Sequence, residues 1–401
     1  MNDTLDPRAI SERLRKHLDG FAIEVPSWGF ANTGTRFGKY LQASAAHTLE
    51  EKFSDAAQVQ KLTGACPSMA LHVLWDFPRG IGDVAAVCEL GRQYGIRPGA
   101  INPNLFENQV YKYGSFGNPD ADVRRLALDH VLESVAIARE LGNVDLSLWF
   151  ADGSNYAGTQ HIRNRIEWFH QGLQATHAAL GEGQRMLVEY KPFEPAFYHT
   201  DIADWGMALL FARAAGPQAF VLVDTGHHYQ SQNIEQILAW LMHEKMLGGL
   251  HFNDRRYADD DLTLGSVDPY QAFRIFHEIR LYQSEHPAVS PPAYVIDQSH
   301  NLKNKVEAMV QTVLAAQELY AKACLVDHGK LTRLQRECRL VEAEEYLRAA
   351  FWTDVRPALR TWREERGLPA DPLQTLRASG YLARTERERG SKNQSGASSY
   401  A

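Results

Sequence analysis

Four cysteines in 401 residues, none within a CxxC, leave the chain without a zinc-ribbon ligand set or a dithiol redox pair. Cys66, Cys88, Cys324 and Cys338 lie far apart and read as buried thiols of a reduced cytoplasm. Long apolar runs are missing too: no stretch approaches the roughly 20 residues that a membrane helix needs. The N-terminal MNDTLDPRAISERLRKHLDG is polar and helix-like, with Asp6-Pro7 as a cap and first-turn proline, and reads as neither signal peptide nor anchor. Basic charge is not in excess: 42 Lys and Arg against 49 Asp and Glu give a formal net charge of -7. That is the wrong sign for displacing counterions from phosphates. No GxGxxG follows the first apolar run, which counts against a doubly wound nucleotide-binding sheet. These absences lead to the expectation of a cytoplasmic protein with neither nucleic acid nor membrane as a partner.

What the chain does have is an ordinary globular composition, 44% hydrophobic and 23% charged. Eight short apolar or alternating runs recur along it: FAIEV (21–25), MALHVLW (69–75), IRPGAIN (96–102), VDLSLWF (144–150), MLVEY (186–190), AFVLVD (219–224), LGGLHF (247–252) and AYVID (293–297). Between them the periodicity is helical; in DADVRRLALDHVLESVAIARELG, Leu128, Val131, Val135 and Ile137 or Ala138 recur at spacings near three and four. Strand and helix alternating eight times predict an α/β fold, a (β/α)8 TIM barrel. The expected boundaries are an N-terminal helix over 1–20, the catalytic barrel over 21–300 and an appended helical region over 301–385 that makes oligomer contacts. A low-complexity tail over 386–401 reads as disordered.

In such a barrel the chemistry sits at the C-terminal ends of the strands. The fifth run, MLVEYKPFE, places Glu189 and Lys191 two apart and so on one side. The sixth closes at Asp224, with Gly226 permitting a turn that returns His227; the seventh ends on His251 and the eighth on Asp297. His72 lies within the second. After His251 the chain spends four aspartates, Asp254, Asp259, Asp260 and Asp261, within the loop FNDRRYADDD. So many carboxylates at one pole repel one another unless cations sit among them. An oxygen-rich set with imidazole and no thiolate suits Mn2+, Co2+ or Mg2+. Glu189, Asp224, His227, His251, Asp259, Asp261 and Asp297 are too many ligands for one ion, so two sites sharing Asp224 are expected. Asp260 reads as a solvated charge, Trp75 as core filling and Asp152 as turn chemistry.

The stretches SWGFANTGTRF, LHVLWD, YKYGS, LWFADGSNY, EYKPFEPAFY, LVDTGHH, HFNDRRYADDD and VIDQSHN resemble the L-rhamnose isomerases of the Pseudomonas type, from about Val25 to ASGY at 378–381. The resemblance implies a homotetrameric barrel with two divalent ions per subunit, manganese first among them. It implies that Glu189, Asp224, His251 and Asp297 hold a structural ion, and that His227, Asp259 and Asp261, with Asp224 shared, hold a catalytic one. Lys191 would sit by the substrate oxygen; Trp28, His72, Phe106 and Trp149 would line the pocket, and Phe37 would enter a neighbour's site. The expected reaction interconverts L-rhamnose and L-rhamnulose, and related aldoses such as L-mannose, L-lyxose and D-allose, by a metal-mediated hydride shift. Lys191, His227, Asp259 and Asp297 are its expected catalytic residues. The other route is an enediol path with Glu189 as base. The competing functions are a ketose 3-epimerase on the same barrel and a non-catalytic sugar-binding protein.

Overall fold

The structure, a computed structural model, describes residues 7–32, 34–35, 38–39, 41–194 and 198–391. Phe37 lies outside these residues.

Each of the eight apolar runs forms a strand of one parallel sheet: β1 (Val25–Pro26), β2 (Ser68–His72), β3 (Arg97–Asn102), β4 (Leu146–Leu148), β5 (Met186–Glu189), β6 (Ala219–Asp224), β7 (Leu247–Phe252) and β8 (Ala293–Ile296). They neighbour one another in chain order, and the ends meet: Glu24 donates its N–H to the Tyr294 carbonyl (2.8 Å) and accepts from the Ile296 N–H (2.9 Å). The result is the expected TIM barrel. Val188, Val221, Val223, Leu250 and Ile296 are wholly buried, as strands covered on both faces require. The LGG start of β7 has a steric reason: a Cβ on Gly248 would lie 2.5 Å from Leu187 Cδ2 and 2.6 Å from Phe220 Cβ. β1 is shorter than FAIEV because Phe21 leaves the ladder and packs its ring on Tyr320, 4.6 Å between centroids.

A helix follows every strand, from Leu49–Thr63 after β1 to Pro269–Glu285 after β7 and Lys305–Cys324 after β8. Lys305–Cys324 packs between Pro269–Glu285 and Leu49–Thr63, the place of the eighth barrel helix. A barrel boundary at residue 300 therefore cuts the last βα unit, and the appended helices begin after Cys324. Five follow among the described residues, His328–Arg336, Leu340–Trp352, Arg356–Glu364, Pro372–Ala378 and Tyr381–Arg389, and the N-terminal helix Pro7–Asp19 packs on Arg356–Glu364. Residues 386–389, expected in a disordered tail, are helical instead, since helix runs to Arg389; residues 392–401 lie outside the description. Of the thiols, Cys66 and Cys324 are buried, but Cys88 is half-buried and Cys338 exposed, against the expectation of four buried ones.

The last helix is pinned to the barrel by a buried charge. Asp55, on the first barrel helix and fully buried, accepts from Tyr381 Oη (2.5 Å) and from Arg389 Nη1 (2.8 Å). Asp55→Ala leaves the Arg389 guanidinium buried without its carboxylate, and is expected to lower unfolding free energy by about 3–5 kcal/mol. Replacing both, Asp55→Ala with Arg389→Met, should restore most of it; urea unfolding of the three proteins measures both effects.

Candidate metal centre

The residues singled out at the strand ends converge on the C-terminal mouth of the barrel. Glu189 closes β5, and Lys191, two residues on, faces the same cavity. Asp224 closes β6, where the Gly226 N–H donates to its Oδ1 (2.6 Å) and Asn253 Nδ2 donates to the same oxygen (3.0 Å). A Cβ on Gly226 would lie 2.5 Å from Asn253 Oδ1, so the turn needs glycine. That turn returns His227, whose Nδ1 lies 3.0 Å from the Tyr190 carbonyl. A proton kept on Nδ1 for that carbonyl leaves the Nε2 lone pair for a ligand. His251 lies in β7, and Asp297, just past β8, accepts from Trp28 Nε1 (2.9 Å).

Two groups of ligand atoms result, each drawn within 4.8 Å: Glu189, Asp224, His251 and Asp297 in one, Asp224, His227 and Asp259 in the other. Asp224 belongs to both. His251 Nδ1 lies 3.5 Å from Glu189 Oε1 and 3.4 Å from Asp297 Oδ2, and His227 Nε2 lies 3.4 Å from Asp259 Oδ1. In each group one buried atom has no hydrogen-bond partner among the described residues, Nδ1 of His251 and Oδ1 of Asp259. Hard oxygens with imidazole nitrogens and an unsatisfied atom in each set fit a divalent ion. This cluster could hold a metal.

The electrostatics point the same way. Burial raises the Asp224 carboxyl, to about 7, with Asp297, Glu189 and Asp259 adding to it against the opposing pull of His227. Burial likewise raises Asp261 well above the usual carboxylate range, with Asp259, Asp297 and Asp224 adding. Burial would lower His227 and His251, yet the surrounding carboxylates hold both well above the ordinary histidine value. For Glu189 burial also opposes, and the two imidazoles prevail, taking it to about 2. Protons thus gather where five carboxylates crowd, and a cation would take their place. Lys191 is held protonated against its burial by Asp259 (2.8 Å) and Glu194 (3.0 Å), and its Nζ sits 5.2 Å from the centre of the Trp149 ring.

The acidic loop divides its work. Asp259 reaches the second group; Asp261, at a φ of 48°, lines the same cavity but stands outside both ligand groups. Asp260, expected to be a solvated charge, instead accepts the Arg256 and Tyr257 N–H groups (2.6 and 2.7 Å) and closes the loop. Asp254 accepts from Val267 and Asp268 and anchors its far end.

The cavity measures about 600 Å3 and its wall includes Trp28, His72, Phe106 and Trp149. Burial lowers the His72 imidazole to about 4, so it presents a neutral ring. Trp75 is no core residue: 39% exposed, it stacks on His72 at 3.9 Å and faces the cavity. Asp152 exceeds turn chemistry as well; fully enclosed, it accepts from Ser115 Oγ (2.6 Å) and Gly117 N (2.8 Å) and ties two loops together. Asn253 and Glu194 went unseen in sequence. An Asn beside a strand-end His, and a Glu three residues after the Lys, were the available signals.

The family model of the xylose isomerase-like TIM barrel matches residues 76–284. A "Probable sugar isomerase" of Rhizobium meliloti (strain 1021) is 38% identical over 97% of this chain and 91% of its own length. One from Mesorhizobium japonicum, likewise named a probable sugar isomerase, is 37% identical over the same shares. Among solved structures, a D-allulose 3-epimerase from Methylomonas sp. superposes with a TM-score of 0.53 at 14% identity, over 73% of this chain and 96% of that one, a likeness of fold alone. Matched across half its length by the model and across nearly all of it by these relatives, the chain belongs to the xylose isomerase-like TIM barrel family.

Proposed function

We propose that this protein is a metal-dependent aldose–ketose isomerase with a two-ion centre, acting on L-rhamnose and on aldoses of related C2 and C3 configuration. The observation that carries the reading is the pair of ligand groups sharing Asp224, set beside a protonated Lys191 in one cavity of about 600 Å3. A cavity of that size holds an open-chain sugar. Glu189, Asp224, His251 and Asp297 would hold one ion; Asp224, His227 and Asp259 would hold the other, with Asp261 turning in from the cavity wall to complete it. Manganese is the proposed metal. Bound cations would chelate neighbouring sugar oxygens and lower the pKa of what they hold.

The chain's own groups do the rest. Trp28, Phe106 and Trp149 offer apolar faces to the sugar's C–H edges, while His72 offers a neutral ring nitrogen to a hydroxyl. Lys191 stays charged, so it acts as a donor to O1, where negative charge grows as the C2 hydrogen moves to C1. It is too well paired to serve as a base. Glu189, set between two imidazoles and counted among the ligands of an ion, has its oxygens engaged and is likewise a poor base for a C–H proton. That supports direct C2-to-C1 transfer over the enediol path. An epimerase acting at C3 through two facing carboxylates and one metal would leave the Asp259 group without a role.

Chelator-stripped protein incubated with L-rhamnose should form no ketose, and adding Mn2+ should restore L-rhamnulose, read by chromatography. No ketose from a panel of aldoses with metal bound sinks the isomerase reading. Run in heavy water, the reaction should leave the product's C1 essentially free of deuterium; substantial incorporation establishes the enediol path instead. Lys191→Met should lower kcat by about 10²–10³-fold with metal content unchanged by elemental analysis. A variant that loses its metal would instead make Lys191 part of the ligand scaffold.

A further inference from the structure

At the opposite, N-terminal end of the barrel strands a second cavity, of about 520 Å3, lies between the N-terminal helix Pro7–Asp19, the helix Pro269–Glu285 and the start of β8. Lys16, His17 and Arg280 enter it from two separate helices. Among the described residues the partners of Arg280 are neutral: Nη1 donates to Gln283 Oε1 (2.7 Å), Nη2 lies 3.2 Å from His17 Nδ1, the guanidinium also hydrogen-bonds to Tyr320 and Cys324, and its carbon stands 5.9 Å from the Tyr320 ring centre. Its Nε is buried and has no hydrogen-bond partner among the described residues. Burial lowers the His17 pKa, and Arg280, Arg13 and Lys16, charges of one sign, lower it further.

Lys16 and His17 have a structural reason to be where they are, in the last turn of their helix, where cations suit the carbonyl end. Arg280 has no such reason. A guanidinium with an unsatisfied Nε, brought next to two other basic groups in a chain of net charge -7, is costly until an anion arrives. Its planar fork matches the oxygens of a phosphate. Apart from Gln283 the remaining wall is mainly apolar, with Phe21, Pro292 and the rings of Tyr294 and Tyr320 offering surface that a bare inorganic ion would not use.

We propose that this cavity binds a phosphomonoester carried on a small apolar or ring-shaped body, the phosphate on Arg280 and Lys16 and the body against Tyr294 and Phe21. Lys16 and Arg280 together balance a phosphate dianion. The site is separate from the metal centre, so it takes its ligand whether or not the sugar is bound.

Calorimetric titration of the full metal-loaded chain with phenyl phosphate tests it. One saturable site is expected, undisturbed by excess L-rhamnose and tighter than the binding of inorganic phosphate. Arg280→Gln should weaken it by roughly tenfold or more and Lys16→Gln by several-fold, as for charge-assisted contacts. Arg15→Gln, on the same helix but paired with Glu365, should leave it unchanged. Lys16 is exposed, so its variant keeps the test open should Arg280→Gln fail to fold. No saturable heat, equal affinity in both variants, competition by the sugar, or inorganic phosphate binding as tightly as phenyl phosphate would each overturn the proposal.

Discussion

Mutual repulsion among Glu189, Asp224, Asp259, Asp261 and Asp297 is the constraint around which the barrel mouth is organised. Five carboxylates drawn from three strand ends and one loop cannot share a buried site as anions without positive charge between them. The chain supplies part of it in His227, His251 and Lys191. The rest of the local structure serves to keep the acids together despite the repulsion: Asn253 and the Gly226 N–H fix Asp224, Trp28 fixes Asp297, and the closed loop from Asp254 to Asp260 presents Asp259. A site built this way is strained by its own charge and would be relieved by a ligand of opposite sign, so the cluster could hold a metal ion.

The barrel was legible because its information is local and repeated. Each strand had to be an apolar run, covered on both faces, and each such run in the sequence became a strand of the sheet. The strand-end polar residues were legible for a related reason: a charged side chain that follows directly on a buried run is carried to the mouth by the strand itself, as Glu189, Asp224 and Asp297 are. Period-two spacing then placed Lys191 beside Glu189.

What escaped depends on contacts far apart in the chain. Trp75 resembled a core residue because it adjoins β2, yet the chain turns after His72 and leaves the indole stacked at the cavity rim. Asp152 looked like turn chemistry because its partners, Ser115 and Gly117, lie a whole helix earlier. The polar composition after residue 385 suggested disorder, but Arg389 finds a buried carboxylate 334 positions away. Composition has no access to such a pairing. The barrel limit at residue 300 erred similarly: nothing in the sequence distinguishes Lys305–Cys324 from the helices that follow, and only its seat between two barrel helices makes it the eighth.

The hydrogen bond from Trp28 to Asp297 spans the seam where the first and last strands meet. At that seam the ladder is thin, since β1 has two residues and the junction rests largely on Glu24. An ion held by Asp297 on one side and by Glu189, Asp224 and His251 on the other would act as a rivet across the end of the cylinder, with Trp28 as its washer. Ring closure and ion retention would then be one equilibrium, so the place where the cylinder is weakest in backbone bonding would also be the place whose opening such a cation would resist most.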